Sequence, residues 1–123
     1  MDKIKVLVVD DKRIIGDLFD ITLGYGGHDI TVVQDGNEAV KLAKDGKFDI
    51  AFIDIIMPDP DGVTVLQQIK EVAPTLPVVM MSGYSVEERR HRAMQLGAVT
   101  CLKKPFEMDE VREVVKKAIG KNI

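Results

Sequence analysis

A chain of 123 residues fits a single domain, residues 1–123, long enough to bury roughly two-thirds of the surface its unfolded form exposes. Apolar residues at 46% and charged residues at 30% exclude disorder and a disulfide scaffold. A net charge of −3 gives no general pull toward nucleic acid, whose binders carry a basic excess or stripe.

The lone cysteine, Cys101, cannot form an internal bridge and points to a reducing, cytoplasmic compartment. No apolar run approaches the ~20 residues of a membrane span, and no signal peptide precedes Asp2.

In chain order, Ile4–Val9 is a β-branched run too short for a helix and bounded by Asp10-Asp11, which predicts a strand. Ile14–Leu23 has apolar residues three and four apart, a helical spacing, and Gly24, Gly26 and Gly27 end it. Ile30–Val33 predicts the second strand, Ala39–Ala43 the second helix, and Ile50–Ile53 the third strand. A Pro, Asp and Gly cluster at Met57–Gly62 then makes a turn. Val63–Val72 predicts a helix, Val78–Met81 a strand, and Val86–Leu96 a helix opened by a capping box of Ser85 and Glu88. Val99–Leu102 and Val111–Ile119 complete the series. The clusters Glu87-Glu88-Arg89-Arg90 and Lys116-Lys117 read as solvated helix faces.

Strict alternation of strand and helix predicts an α/β fold with a five-stranded parallel sheet and helices on both faces. In such sheets ligands bind beyond the carboxyl ends of the strands, where the strand order reverses. At those ends stand Asp10 and Asp11, Asp54, Ser82-Gly83 and Lys103-Lys104-Pro105. Each alone is a common cap or turn residue; together they form a constellation.

Asp10, Asp11 and Asp54 carry −3 and Lys104 returns +1. At about 5 Å and an effective dielectric of about 20, each carboxylate pair repels by roughly 3 kcal/mol. A divalent cation relieves that repulsion, and oxygen-only ligands suit Mg²⁺. His28 and His91 lie outside the cluster and read as surface or loop residues. A carboxylate beside Mg²⁺, a hydroxyl and a lysine is equipped to accept a phosphoryl group, with Asp54 as nucleophile and Lys104, Mg²⁺ and Ser82 serving the three equatorial oxygens.

These residues sit in VVDD at Val8–Asp11, D-x-x-M-P-x-x-D-G at Asp54–Gly62, MSGY at Met81–Tyr84 and G-A-x-x-x-L-x-K-P-F at Gly97–Phe106. Over essentially its whole length the chain resembles the receiver domains of two-component response regulators, which have a CheY-like, flavodoxin-like (βα)5 fold. The resemblance implies that Asp54 is the phosphoacceptor and that Asp10, Asp11, Asp54 and the backbone carbonyl of Ile56 hold Mg²⁺. It implies that Ser82 is the switch hydroxyl, Lys104 the phosphate-binding lysine, and Lys104-Pro105 a cis peptide. It further implies a cytoplasmic signalling protein that promotes only its own phosphorylation and dephosphorylation. The donor would be a sensor histidine kinase or a histidine phosphotransfer protein. The output would pass through helix four, strand five and helix five to an unknown effector, with no direct contact to nucleic acid or membrane. With no effector after Ile123, the chain reads as either a stand-alone regulator or a piece of a longer one.

One departure stands out: Cys101 occupies the position where receivers usually carry Tyr, Phe or His, so it reads as a small buried filler or as the sign of an altered switch, in which helix four shifts by itself or Tyr84 serves instead. By the same resemblance Ile56 and Tyr84 sit at positions that border the phosphoryl group in receivers, and neither side chain can orient an attacking water as an acid or amide would, which implies a long-lived phosphoryl state.

Helix one carries an apolar arc of about 200°, from Ile21 through Ile14, Leu18, Ile15 and Phe19 to Leu23, against little more than ~100° for a core stripe. Either some of it faces outward, with an exposed Ile14 or Leu18 as a docking patch for the phosphodonor protein, or a wide face is buried between helices one and five.

Four competing readings remain. A haloacid-dehalogenase-type phosphatase needs an acid two residues after the nucleophile, where Ile56 stands. A flavodoxin would present a phosphate loop where Asp10-Asp11 repels phosphate, and a nucleotide switch would need a P-loop. An unphosphorylated pseudo-receiver would not need all five site residues.

Overall fold

The computed structural model describes residues 2–83 and 86–123. Its chain order is β1 (Lys5–Val9), α1 (Arg13–Phe19) continued by a π turn (Asp20–Gly24), β2 (Asp29–Val33), α2 (Gly36–Asp45), β3 (Ile50–Asp54), α3 (Gly62–Val72), β4 (Val78–Ser82), α4 (Glu87–Gln95), β5 (Cys101–Lys103) and α5 (Met108–Ile119). The five strands form one parallel sheet in the order β2-β1-β3-β4-β5.

Side chains alternate across a strand, and the two faces of the sheet accordingly build two apolar layers. Leu7, Val9, Ala51, Ile53, Val78 and Met80 pack with Ala39 and Ala43 of α2, Val65, Leu66 and Ile69 of α3, and Ala93 of α4. Val6, Val8, Phe52, Val79 and Met81 pack with Phe19 and Leu23 from the α1 segment and with Val111 and Val115 of α5. Phe19 sits 5.0 Å from Phe52 and 6.3 Å from Phe106, ring centre to ring centre. With helices covering both faces, β3 and β4 need no polar side, and every residue in them is buried.

The expected elements are all present, with ends shifted by up to a few residues. The α1 segment differs most in kind. Its α-helical ladder gives way to a π turn at Asp20, and there the Thr22 hydroxyl donates to the Leu18 carbonyl at 2.6 Å, the back-bonding by which Ser and Thr bend helices. The Ser85 of the expected capping box lies outside the described residues. A capping box is present instead at the start of α5, between Glu107 and Glu110. No helix among the described residues is long and apolar enough to cross a membrane.

The chain leaves β1 toward β2 and later returns beside β1 as β3, so the strand order reverses between β1 and β3. Val9 pairs with Ile53, and Asp10 and Asp54 therefore follow at adjacent strand ends, over the crevice the reversal opens.

Candidate phosphoacceptor site

Asp54 is the last residue of β3 and only 2% exposed. Its Oδ1 accepts from the Ile56 backbone N–H at 3.2 Å, and its Oδ2 lies 3.3 Å from Lys104 Nζ. Burial raises the Asp54 pKa above the ordinary carboxylate range, Lys104 opposes that rise, Asp10 adds to it, and the Ile56 N–H works against it. The turn after β3 folds back tightly: Gly62 N–H donates to the Ile55 carbonyl at 2.9 Å, and a Cβ at Gly62 would fall on the Asp54 carbonyl oxygen. Only glycine fits that approach. Asp61 caps α3 by accepting from Thr64 N–H at 2.9 Å.

Asp10 is fully buried; its Oδ2 accepts from Lys104 Nζ at 2.7 Å and its Oδ1 from Lys12 N–H at 2.9 Å. Asp11 Oδ1 is buried with no hydrogen-bond partner among the described residues, and the Lys12 ammonium, 3.8 Å away, is too far to supply one. Asp10, Asp11 and Asp54 each offer an oxygen, and these oxygens lie within 4.8 Å of one another. One half-buried lysine spans two of the three acids and leaves the third unsatisfied. An orphaned carboxylate oxygen in an all-oxygen donor set fits a hard divalent cation such as Mg²⁺.

Ser82 ends β4 and is buried. The Lys104 N–H donates to the Ser82 carbonyl at 2.8 Å, which fixes the lysine's strand end against the serine's. Asp10, Asp11, Asp54, Ser82 and Lys104 thus converge at one rim, and Lys104–Pro105 is cis. Tyr84 lies outside the described residues. Cys101 opens β5 opposite Met80, half-buried.

Of the helix one arc, Phe19 and Leu23 are core, Ile15 and Leu18 are half-buried, and Ile14 is 73% exposed. Ile14, Leu18, Pro105 and Phe106 line a groove of about 590 Å³ that reaches Asp54 and Lys104. In the sequence Phe106 is legible only as a motif letter; its position on this groove depends on how β5 meets α1.

His28 lies in the loop before β2, one of the two places expected for it, but its ring is not at the surface. It is 6% exposed, and its Nδ1 accepts from the Ile4 N–H at 3.2 Å. The three residues from Gly26 to His28 turn back onto the start of β1, and that turn places the ring inside.

A family model described as the response regulator receiver domain matches residues 6–116. The transcriptional regulatory protein ZraR of Escherichia coli K12 is 30% identical over 119 residues, which is 97% of this chain and 27% of ZraR. The alkaline phosphatase synthesis transcriptional regulatory protein PhoP of Bacillus subtilis is 34% identical over 112 residues, 91% of this chain and 47% of PhoP. NtrX from Brucella abortus superposes with a TM-score of 0.88 at 33% identity, covering 97% of this chain and 27% of NtrX. The Francisella response regulator 1452 receiver domain superposes with a TM-score of 0.84 at 30% identity, covering 96% and 98%. The chain spans less than half the length of the curated relatives ZraR and PhoP.

Proposed function

Because the chain belongs to the response regulator receiver domain family of two-component systems, we propose that Asp54 accepts a phosphoryl group from a sensor histidine kinase or a histidine phosphotransfer protein. The observation that carries this reading is Lys104 Nζ lying 2.7 Å from Asp10 and 3.3 Å from Asp54, beside the orphaned oxygen of Asp11. An Asp54 carboxylate oxygen attacks phosphorus in line, a P–O bond forms as the P–N bond to the donor histidine breaks, and the imidazole leaves. Lys104 neutralises one equatorial oxygen and Ser82 donates to another. Asp10, Asp11, Asp54 and the Ile56 carbonyl would hold Mg²⁺, which when bound supplies the remaining charge neutralisation. The domain acts on itself and turns over no separate substrate.

The groove beside Asp54, with Ile14 exposed at its edge, receives the donor protein. Phosphorylation takes residue 54 from −1 to about −2, and the surface from Val86 to Lys117 carries the change to an effector in the cytoplasm. That ZraR and PhoP are transcriptional regulatory proteins supports an output in gene control, exerted through another protein or domain.

Treatment with Mg²⁺ and acetyl phosphate, read by mass spectrometry, should add one phosphoryl group to the natural chain and none to Asp54→Ala. No addition to the natural chain would favour a pseudo-receiver, and steady release of phosphate over many turnovers would favour a phosphatase. Ile56 is half-buried beside Asp54 and cannot orient water, so the phosphoryl group should be lost slowly for this family. Complete loss within seconds would contradict that.

A further inference from the structure

On the α4 side of the site lies a second cavity, of about 340 Å³, walled by Ser82, Cys101 and Lys103 from the strands and by Glu87 and Arg90 from α4. Of its walls, only Ser82 enters the phosphoacceptor chemistry above. Cys101, half-buried, is too small to fill it.

Glu87 and Arg90 are three residues apart and share a face of α4. The helix that carries them is thinly anchored: from Glu87 to Gln95 only Ala93 is buried, with Val86 and Leu96 half-buried at its ends. Few buried apolar contacts mean a low cost of displacement. Glu87, Arg90 and Asp54 also act on one group. Burial pushes the Cys101 thiol pKa up, Arg90 opposes this, and Glu87 and Asp54 add to it. Asp54 and the α4 pair therefore both lie within electrostatic reach of the same sulfur.

We propose that Arg90 is the positioning residue that couples α4 to the charge on Asp54. When phosphorylation adds roughly one negative charge, the guanidinium moves into the cavity toward Ser82 and the phosphoryl oxygens. Glu87, on the same face, is repelled, and α4 turns. Lys103 shares the cavity wall, but it is paired with Ser82 in the sheet and cannot carry the helix. The proposal rests on Asp54 being the phosphoacceptor, and its test separates the two ideas.

The natural chain, Arg90→Gln, Arg90→Lys and the control Arg89→Gln are titrated with beryllofluoride in Mg²⁺ while backbone amide shifts are followed by NMR. Amides flanking Asp54 should respond in all four proteins. Those of Glu87–Gln95 should respond in the natural chain and in Arg89→Gln, lose the response in Arg90→Gln, and regain most of it in Arg90→Lys. Because coupling is reciprocal, Arg90→Gln should also bind beryllofluoride about fivefold more weakly. Arg90 is exposed, so the melting temperature without beryllofluoride should be unchanged, which a merely structural role would not allow. An undiminished α4 response in Arg90→Gln, or an equal loss in Arg89→Gln, would overturn the proposal with the phosphoacceptor reading intact. Silence around Asp54 in the natural chain would sink both.

Discussion

A single methyl group at Gly62 tests how closely the site is held. The added Cβ would meet the Asp54 carbonyl oxygen and the Ile55 backbone, and main chain cannot rotate aside as a side chain does. Gly62→Ala should cost about 2–3 kcal/mol in urea unfolding and, on the proposed function, should lower phosphorylation of Asp54, because relief requires moving the Asp54 peptide itself. An unchanged midpoint with full phosphorylation would mean the turn relaxes without disturbing β3. In the sequence Gly62 is legible only as a turn residue, since nothing local says which backbone it approaches. The acids are easier to read. Asp54 in the apolar run Phe52–Ile56 is legible as a site residue only in company with the other strand-end groups, and it is buried with Lys104 beside it. Arg90 reads as a solvated charge and is exposed; that it also walls a cavity follows from the placement of Cys101 and Ser82, which no local pattern contains.

At the scale of elements, helical periodicity identifies the α1 segment and its surplus of apolar residues, but it cannot see the ladder slip into a π turn at Asp20–Gly24. That slip depends on which carbonyl each N–H and the Thr22 hydroxyl reach. The wide apolar arc divides between the two readings: Phe19 and Leu23 lie inside, Leu18 is half-buried against the core, and Ile14 and Ile21 are exposed at 73% and 61%. Ile14→Ser should therefore change stability by no more than about 0.5 kcal/mol. Transfer from a phosphorylated histidine donor protein should slow by roughly tenfold if Ile14 is an interface anchor. Phosphorylation by acetyl phosphate, too small to use the groove, should keep its natural rate. Equal slowing with both donors would place the defect at Asp54 instead.

For the whole molecule, strand and helix alternation was enough to predict a parallel sheet, because parallel neighbours need crossovers and helices are the crossovers available. What it leaves open is how the chain closes at the end of the sheet opposite Asp54, where His28 is buried. Its Nδ1 accepts from the Ile4 N–H, so that nitrogen carries no proton. Burial lowers the His28 pKa below the ordinary value, and Lys3 and Arg112 lower it further. As pH falls, the unfolded chain binds this proton first, near pH 6.5, while the native ring resists. The contribution is fully present above that pH and is lost as pH drops toward the lower native value, with a slope of at most about 1.4 kcal/mol per pH unit. Carboxylate titration adds a background common to variants, so the difference between proteins is the informative quantity. His28→Gln retains an acceptor without a titrating ring. Its stability deficit relative to the natural chain, measured by urea unfolding, should be nearly level at pH 7.5 and shrink as pH falls through about 6.5 to 5.5. A deficit that stays constant across that range would show that His28 holds its proton equally well in both states and that the Ile4 contact does not depend on the neutral ring.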